Sequence, residues 1–247
     1  MRGFDVEHPR WLVPSLLLAA TVAVIAPAGV AAQGIDGSHA IRCGDSTYRY
    51  VLYVPHHDTP APVLVLLHGA GDTPEPMVDA WRRLAGREGI VLVAPALPRV
   101  AGFEALAPGV FRCMVDEVKR LTAVDPRRVY VFGHSMGGYL GYDAALLESR
   151  YFAAAAIHAM GIAPDYDWIV GKAARKTPIA MYIGDRDQFV PLAGVRRTRD
   201  LLVAHGFPVH YVELAGHDHD YYALSGRINT DAWKFLERQA LSTPPAP

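Results

Sequence analysis

Residues 128–138 read RVYVFGHSMGG, an apolar run followed at once by the pattern Gly-x-Ser-x-Gly centred on Ser135. The apolar run is typical of a buried strand, and the small residues of 138–147 predict a helix after it. A serine on such a sharp strand-to-helix turn stands clear of the sheet, and the flanking glycines remove the clashes of the turn. The N-terminus of the following helix also stabilises developing negative charge. The segment therefore predicts Ser135 as a catalytic nucleophile.

Apolar, β-rich runs alternate with helical patterns on both sides of this segment. This alternation predicts an α/β fold: a mostly parallel, doubly wound sheet with helices on both faces. In such sheets, ligands bind at the carboxyl ends of the strands. The predicted strands are 48–54, 63–67, 90–94, 128–132, 153–158, 178–183 and 208–214, and the predicted helices are 77–88, 110–122, 138–147, 192–205 and 229–241.

A serine nucleophile needs a base, and the base needs a carboxylate that orients it. We expect this carboxylate after the strand at 178–183. When the serine lies on this type of turn, the chain order is Ser, then Asp or Glu, then His. Asp185 and Asp187 both follow the strand. Asp187 comes three residues after Gly184 and leads into the next helix, so we predict it as the orienting acid, whereas Asp185 fits a turn residue that bonds nearby backbone.

Two histidines compete for the role of the base, which must lie on a loop that reaches back over the sheet. His217 lies just past the strand at 208–214, whereas His219 lies five residues past its last apolar residue, Leu214. We therefore prefer His219, and His217 stays as the alternative.

The oxyanion of acyl transfer needs two preorganised hydrogen-bond donors. One is expected from the backbone N–H of Met136, the residue after the nucleophile. The other is expected from the loop His68-Gly69-Ala70-Gly71-Asp72, whose glycines let the backbone approach a substrate. We predict the N–H of Ala70 as the second donor.

Three segments resemble a known family. Residues 66–73 (LLHGAGDT) look like the oxyanion loop of acyl-thioesterase and carboxylesterase-type hydrolases. Residues 125–138 (DPRRVYVFGHSMGG) look like the serine turn of polyhydroxybutyrate-depolymerase and feruloyl-esterase-like proteins, and residues 49–55 (RYVLYVP) resemble their first strand. The likeness spans roughly 42–241 and implies an α/β-hydrolase fold.

The same resemblance implies cleavage of carboxylic esters through an acyl-enzyme, with no metal or organic cofactor. The histidine segment reads GHDHDY from Gly216, where the depolymerases have GGGHxW. Alignment on Gly216 places His219 on the family histidine and Tyr221 on its aromatic residue, so the chain departs from the family at the tryptophan.

Composition and charge indicate which classes of partner the protein can bind. The 247 residues are 51% hydrophobic and carry a formal net charge of −1, with no block of like charges. A nucleic-acid partner calls for a basic face, so none is predicted; the expected partner is a small-molecule or polymer ester, and the oligomeric state is left open. The two cysteines, Cys43 and Cys113, form either a disulfide or two separate buried thiols, and two cysteines alone do not make a zinc site.

The N-terminus has the pattern of a secretory signal peptide at residues 1–32. Arg2 and Arg10 precede the apolar stretch 11–30, and small residues follow up to Ala32. The alternative is an uncleaved membrane anchor. We expect cleavage, a secreted or periplasmic protein that is free of the membrane, and a catalytic domain at 33–247.

The spacing of the site leaves no room for a large lid domain between Ser135 and Asp187. Only 161–176, with Tyr166 and Trp168, could cover the site, which predicts an open cleft with aromatic edges. Two other functions share these features: a peptidase of the prolyl-oligopeptidase type, which usually carries a large extra domain, and a non-catalytic binding protein, which usually lacks a triad residue.

Overall fold

The computed structural model describes residues 35–97 and 109–245, so the predicted signal peptide lies outside the described residues. The described part contains eight strands, five α-helices and one 3-10 helix, Pro164–Lys172. The strands are β1 (Gly37–Cys43), β2 (Ser46–Tyr53), β3 (Ala61–Leu67), β4 (Val91–Pro95), β5 (Val124–His134), β6 (Ala154–His158), β7 (Ile179–Gly184) and β8 (Val209–Leu214). The helices are α1 (Pro74–Glu88), α2 (Val110–Leu121), α3 (Met136–Leu147), α4 (Leu192–Ala204) and α5 (Tyr221–Leu236).

All eight strands form one sheet in the order β1-β2-β4-β3-β5-β6-β7-β8. The first two strands are antiparallel to their neighbours, and every pair from β4 to β8 is parallel. The predicted α/β class with a mostly parallel sheet is therefore confirmed. The carboxyl ends of β3, β5, β7 and β8 lie along one edge of the sheet, and each is followed by a residue predicted for the site.

The core lies on both faces of the sheet because successive side chains of a strand point to opposite sides. In β3, the side chains of Val63, Val65 and Leu67 join the cluster under α2, α3 and α4, whereas Leu64 and Leu66 join the cluster under α1 and α5. All seven residues of β3 are buried, as expected for a strand covered on both faces. The central strands are thus packed on both faces, and the loops that carry the predicted site residues leave from their ends.

Strand β1 and helix α5 differ most from the sequence prediction, and β5 and α1 begin four and three residues earlier than predicted. Strand β1 was not predicted, because its sequence GSHAIRC alternates exposed and partly buried positions at the edge of the sheet. Helix α5 was predicted at 229–241 but spans Tyr221–Leu236. It begins earlier because the Asp220 carboxylate accepts a hydrogen bond from the Tyr222 N–H and caps the helix.

Cys43 and Cys113 form a disulfide that joins the end of β1 to α2 across a sequence separation of 70. Of the two possibilities left open by the sequence, the structure has the bonded pair. Among the described residues, no helix combines the length and apolarity needed to cross a membrane.

Candidate active site

Ser135 lies between β5 and α3 on a strained turn. Its φ of 52° and ψ of −120° fall in a region that non-glycine residues rarely adopt. The Ser135 N–H donates to the carbonyl of His158 at the end of β6 (2.9 Å), and its own carbonyl accepts from the N–H of Gly138 (2.8 Å). The neighbouring strand and the first turn of α3 therefore hold the serine in this conformation.

The glycines of the turn are required by close packing. A Cβ on Gly137 would lie 2.1 Å from the carbonyl oxygen of Leu67, and one on Gly133 would lie 2.2 Å from that of Gly137. Both distances are far inside van der Waals contact, so a side chain at 137 would push the turn away from β3, and one at 133 would push the end of β5 away from the first turn of α3. The pattern Gly-x-Ser-x-Gly thus has a steric origin that can be read directly from the fold.

Ser135, His219 and Asp187 are connected by two hydrogen bonds. His219 Nε2 lies 2.9 Å from Ser135 Oγ, and His219 Nδ1 lies 2.8 Å from Asp187 Oδ2. The other carboxylate oxygen of Asp187 accepts the N–H groups of Phe189 (2.9 Å) and Val190 (2.8 Å). The Asp187 side chain is fully buried and the His219 side chain is 15% exposed. Such an arrangement can take a proton from the serine hydroxyl and stabilise the imidazolium that results.

The alternative residues lie nearby with different contacts. Asp185 accepts the N–H of Gly216 (2.7 Å) and so holds the turn after β8; it bonds backbone as expected, but that backbone lies 31 residues away and not in its own turn. The His217 ring is buried, 5% exposed, and lies 5.5 Å from the His158 ring. Its buried Nε2 has no hydrogen-bond partner among the described residues. The geometry thus brings His219, and not His217, to Ser135.

The segments of the two predicted oxyanion donors both adjoin Ser135. Met136 begins α3 directly after the serine. The loop with Ala70 passes beside the serine, because a Cβ on Gly69 would lie 3.6 Å from the Ser135 Cβ. This loop is a tight turn in which the Asp72 N–H donates to the Gly69 carbonyl (3.3 Å) and Gly71 has a φ of 77°.

Two further histidines lie under His219 and were not predicted. His134 Nδ1 is 2.9 Å from His158 Nδ1, and the His134 ring lies 5.0 Å from the His219 ring. Burial, with a smaller effect from His219, lowers the pKa of His134 to about 4, and burial also lowers the pKa of His158. Both rings are therefore neutral at neutral pH. Their positions beside Ser135 and at the end of β6 were visible in the sequence, but their contact depends on the pairing of β5 with β6.

One exposed aromatic ring contacts His219, and a chain of stacked aromatic rings extends from the start of α3. Phe189 is 71% exposed, and its ring lies edge-on to His219 at 5.1 Å. Tyr139, in the first turn of α3, stacks on Tyr166 at 4.9 Å, and Tyr166 contacts Trp168 at 5.1 Å. No group of three or more potential metal ligands occurs among residues 35–97 and 109–245.

A profile of the alpha/beta hydrolase family matches residues 64–241, which include every residue of the site. No curated protein matches the sequence significantly.

Several solved structures share the fold at low sequence identity. A thermostable esterase is 20% identical with a TM-score of 0.64, over 84% of this chain and 64% of its own length. An S-formylglutathione hydrolase from Agrobacterium tumefaciens is 20% identical with a TM-score of 0.62, over 81% of this chain and 93% of its own. The substrate-bound fluorophosphonate-binding serine hydrolase F of Staphylococcus aureus is 17% identical with a TM-score of 0.66, over 81% of this chain and 96% of its own length.

Proposed function

Because this chain belongs to the alpha/beta hydrolase family, we propose that it is a serine esterase that cleaves carboxylic esters through an acyl-enzyme. The observation that carries the proposal is the connected set Asp187–His219–Ser135, with hydrogen bonds of 2.8 and 2.9 Å at a strained strand-to-helix turn. Solved structures with this fold are described as esterases and serine hydrolases, which agrees with the proposal.

In the proposed reaction, Ser135 Oγ attacks the ester carbonyl carbon while His219 Nε2 takes its proton. The tetrahedral intermediate collapses when the alkoxy group leaves with the proton from His219, and the acyl group stays on Ser135. Water then attacks the acyl carbon while His219 Nε2 takes one of its protons, and His219 returns that proton to Ser135 Oγ as the acid is released. Asp187 keeps the histidine in the required tautomer and stabilises its protonated form.

We propose that the N–H groups of Ala70 and Met136 stabilise the oxyanion. Donors of this kind lower the barrier because they are already oriented when negative charge develops. The N-terminus of α3 adds a partial positive charge at the same place, since Ser135 is the residue that precedes its first turn.

The substrate proposed for this site is an ester with a short or aromatic acyl group, or the end of a polyester chain. The support is exposed aromatic surface: Phe189, which contacts His219, is 71% exposed, and Trp168, connected to α3 through Tyr166 and Tyr139, is 53% exposed. Exposed aromatic surface next to a reactive serine suits apolar ligands. The sequence likeness to polyhydroxybutyrate depolymerases and feruloyl esterases points to the same substrates and belongs to this proposal.

A panel of p-nitrophenyl esters tests the proposal, with wild type, Ser135→Ala and the exposed β2 variant Ser46→Ala as the matched control. We expect hydrolysis of short and aromatic esters, a loss of at least about 10⁴-fold in kcat for Ser135→Ala, and no change for Ser46→Ala. Undiminished hydrolysis by Ser135→Ala would refute the proposal. Cleavage of peptide amides but not of esters would favour a peptidase instead.

We also propose that residues 1–32 direct export and are removed. The basic start, the apolar stretch 11–30 and the small residues before Gln33 support this. The Cys43–Cys113 disulfide is compatible with an oxidising compartment. N-terminal sequencing of the exported protein should begin at Gln33, whereas a membrane fraction that retains Met1 would contradict the proposal and favour an anchor.

A further inference from the structure

The loop that carries Ala70 and the loop that carries His219 are joined by a side-chain hydrogen bond. Tyr222 Oη donates to the Asp72 carboxylate across a sequence separation of 150 residues. Asp72 lies two residues after Ala70, and Tyr222 lies three residues after His219. The bond therefore links the segment of the proposed oxyanion donor to the segment of the proposed base.

On the first loop, Asp72 fixes the turn that contains Ala70. Its N–H donates to the Gly69 carbonyl (3.3 Å), and its Oδ1 accepts the N–H of Thr73 (2.8 Å). The remaining carboxylate oxygen, Oδ2, is the one that accepts from Tyr222. Any movement of Asp72 would thus be transmitted directly to the Gly69 carbonyl.

A second donor acts on the same carbonyl. The Leu97 N–H donates to His68 Nε2 (3.1 Å), so the ring proton lies on Nδ1, which donates to the Gly69 oxygen (2.8 Å). The Gly69–Ala70 peptide is planar and trans, so the Ala70 N–H points away from the Gly69 oxygen. Holding that oxygen at two donors therefore sets the direction of the Ala70 N–H.

At the other end of the bond, Tyr222 lies in the first turn of α5 and is held close to His219. The Asp220 carboxylate caps α5 by accepting the Tyr222 N–H (3.0 Å), and Asp220 follows His219 directly. Burial, together with Asp72, raises the pKa of Tyr222, so its hydroxyl stays protonated and remains a donor.

We propose that Asp72 and Tyr222 are a positioning pair that holds the Ala70 N–H in place relative to His219 and Ser135. This inference rests on the proposed esterase function. Neither side chain reacts; the pair acts by preorganising the oxyanion donor. Small errors in such geometry cost rate, and their effect appears in the transition state more than in substrate binding.

The test compares steady-state hydrolysis of p-nitrophenyl acetate by wild type, Tyr222→Phe, Asp72→Ala and Asp72→Asn, with active sites titrated. Tyr222→Phe and Asp72→Ala should each lower kcat by roughly 10- to 100-fold, with KM within about twofold of wild type. Asp72→Asn should restore most of the kcat lost in Asp72→Ala, because an amide can still bond both the Thr73 N–H and the Tyr222 hydroxyl. Tyr211→Phe is the matched control, since Tyr211 makes the same kind of bond with Glu213 within β8, and should leave kcat unchanged.

Two further readouts separate positioning from general destabilisation. The double variant Asp72→Ala/Tyr222→Phe should be no slower than Asp72→Ala, because both changes remove the same link. Affinity for phenylboronic acid, which forms a tetrahedral adduct on a serine, should fall in parallel with kcat. Unchanged kcat in Tyr222→Phe, or losses of kcat that multiply in the double variant, would overturn the positioning proposal. Ester hydrolysis by wild type would still support the proposed esterase function in that case. A wild type that hydrolyses no ester would overturn both.

Discussion

His217 and His219 are separated by one residue but have different surroundings. His219 hydrogen-bonds to Ser135 and to Asp187, whereas the His217 ring packs on His158 below. The sequence order Ser, Asp, His narrowed the base to these two residues. His219 was then favoured by the length of the loop and by the alignment on Gly216 with the family that the sequence resembles. The orientation of the two histidine rings depends on the turn at Gly216, which has a φ of 72°, and on the close approach of the His217 carbonyl to Gly184. No local sequence pattern predicts this approach.

The two histidines should respond differently to replacement by alanine. His219→Ala should lower kcat for a p-nitrophenyl ester by at least about 10³-fold, because the serine loses its proton acceptor. His217→Ala should keep kcat per titrated active site within about threefold, although the cavity that it leaves should lower thermal stability. Equal losses of kcat in the two variants would remove the basis for assigning the base to His219.

The two aspartates show what a residue pattern can predict. Asp187 and Asp185 were separated by their distance from Gly184 and by the helix that follows. In the structure, Asp187 bonds His219 and two backbone N–H groups, whereas Asp185 bonds the backbone of Gly216. Asp187 could be preferred because the acid must begin a loop that reaches the base. The bond of Asp185 to Gly216 was not predictable, because it depends on the pairing of β7 with β8.

At the scale of elements, the position of β5 against β3 places Ser135, and Gly137 is where the turn meets β3. Gly137→Ala would put a methyl group 2.1 Å from the Leu67 carbonyl oxygen. We expect a loss of more than about 3 kcal/mol in the free energy of unfolding, because the clash is with backbone and cannot be relieved by a rotamer change. Urea unfolding followed by circular dichroism measures this loss.

Gly226→Ala in α5 is the matched control. Gly226 is exposed, and a Cβ there would have no atom within 4 Å. Alanine should leave stability unchanged or raise it by up to about 1 kcal/mol, since it is the better helix former. If Gly137→Ala were as stable as Gly226→Ala, the steric origin of the glycine pattern would be wrong.

The elements that were predicted well are those with strong apolar patterns. Strands β4 and β7 and helix α4 agree with the sequence prediction to within one residue at each end, because burial on one or both sides requires such patterns. Strand β1 was not predicted because apolar and polar residues alternate only weakly along this edge strand. The start of α5 was missed because its first turn follows from the Asp220 cap and not from apolar spacing.

At the scale of the whole molecule, the neutral histidines under the site predict a response to acid. The pKa of His134 is about 4 in the folded protein against an ordinary value of 6.5. Between these values the unfolded chain binds more protons, so stability is fully present above pH 6.5 and falls as the pH drops towards 4. The contribution of His134 is at most about 3 kcal/mol.

The comparison of pH slopes isolates this contribution. Asp143 acts in the opposite direction, because burial raises its pKa to about 6 and its protonated form favours folding. We therefore predict the difference between proteins: His134→Asn should lose stability less steeply than wild type from pH 6.5 to 4, measured by urea unfolding. The exposed His56→Asn is the control and should follow wild type. Identical slopes in all three proteins would contradict the prediction.

The central claim is that Ser135 is a nucleophile activated by His219. Its most direct test is intact-protein and peptide mass spectrometry after treatment of the folded protein with a fluorophosphonate. We predict one adduct, on the peptide that contains Ser135, formed at least about 10³-fold more slowly in His219→Ala and absent in Ser135→Ala. An unlabelled Ser135 in folded wild type, or an adduct that persists in Ser135→Ala, would contradict the account.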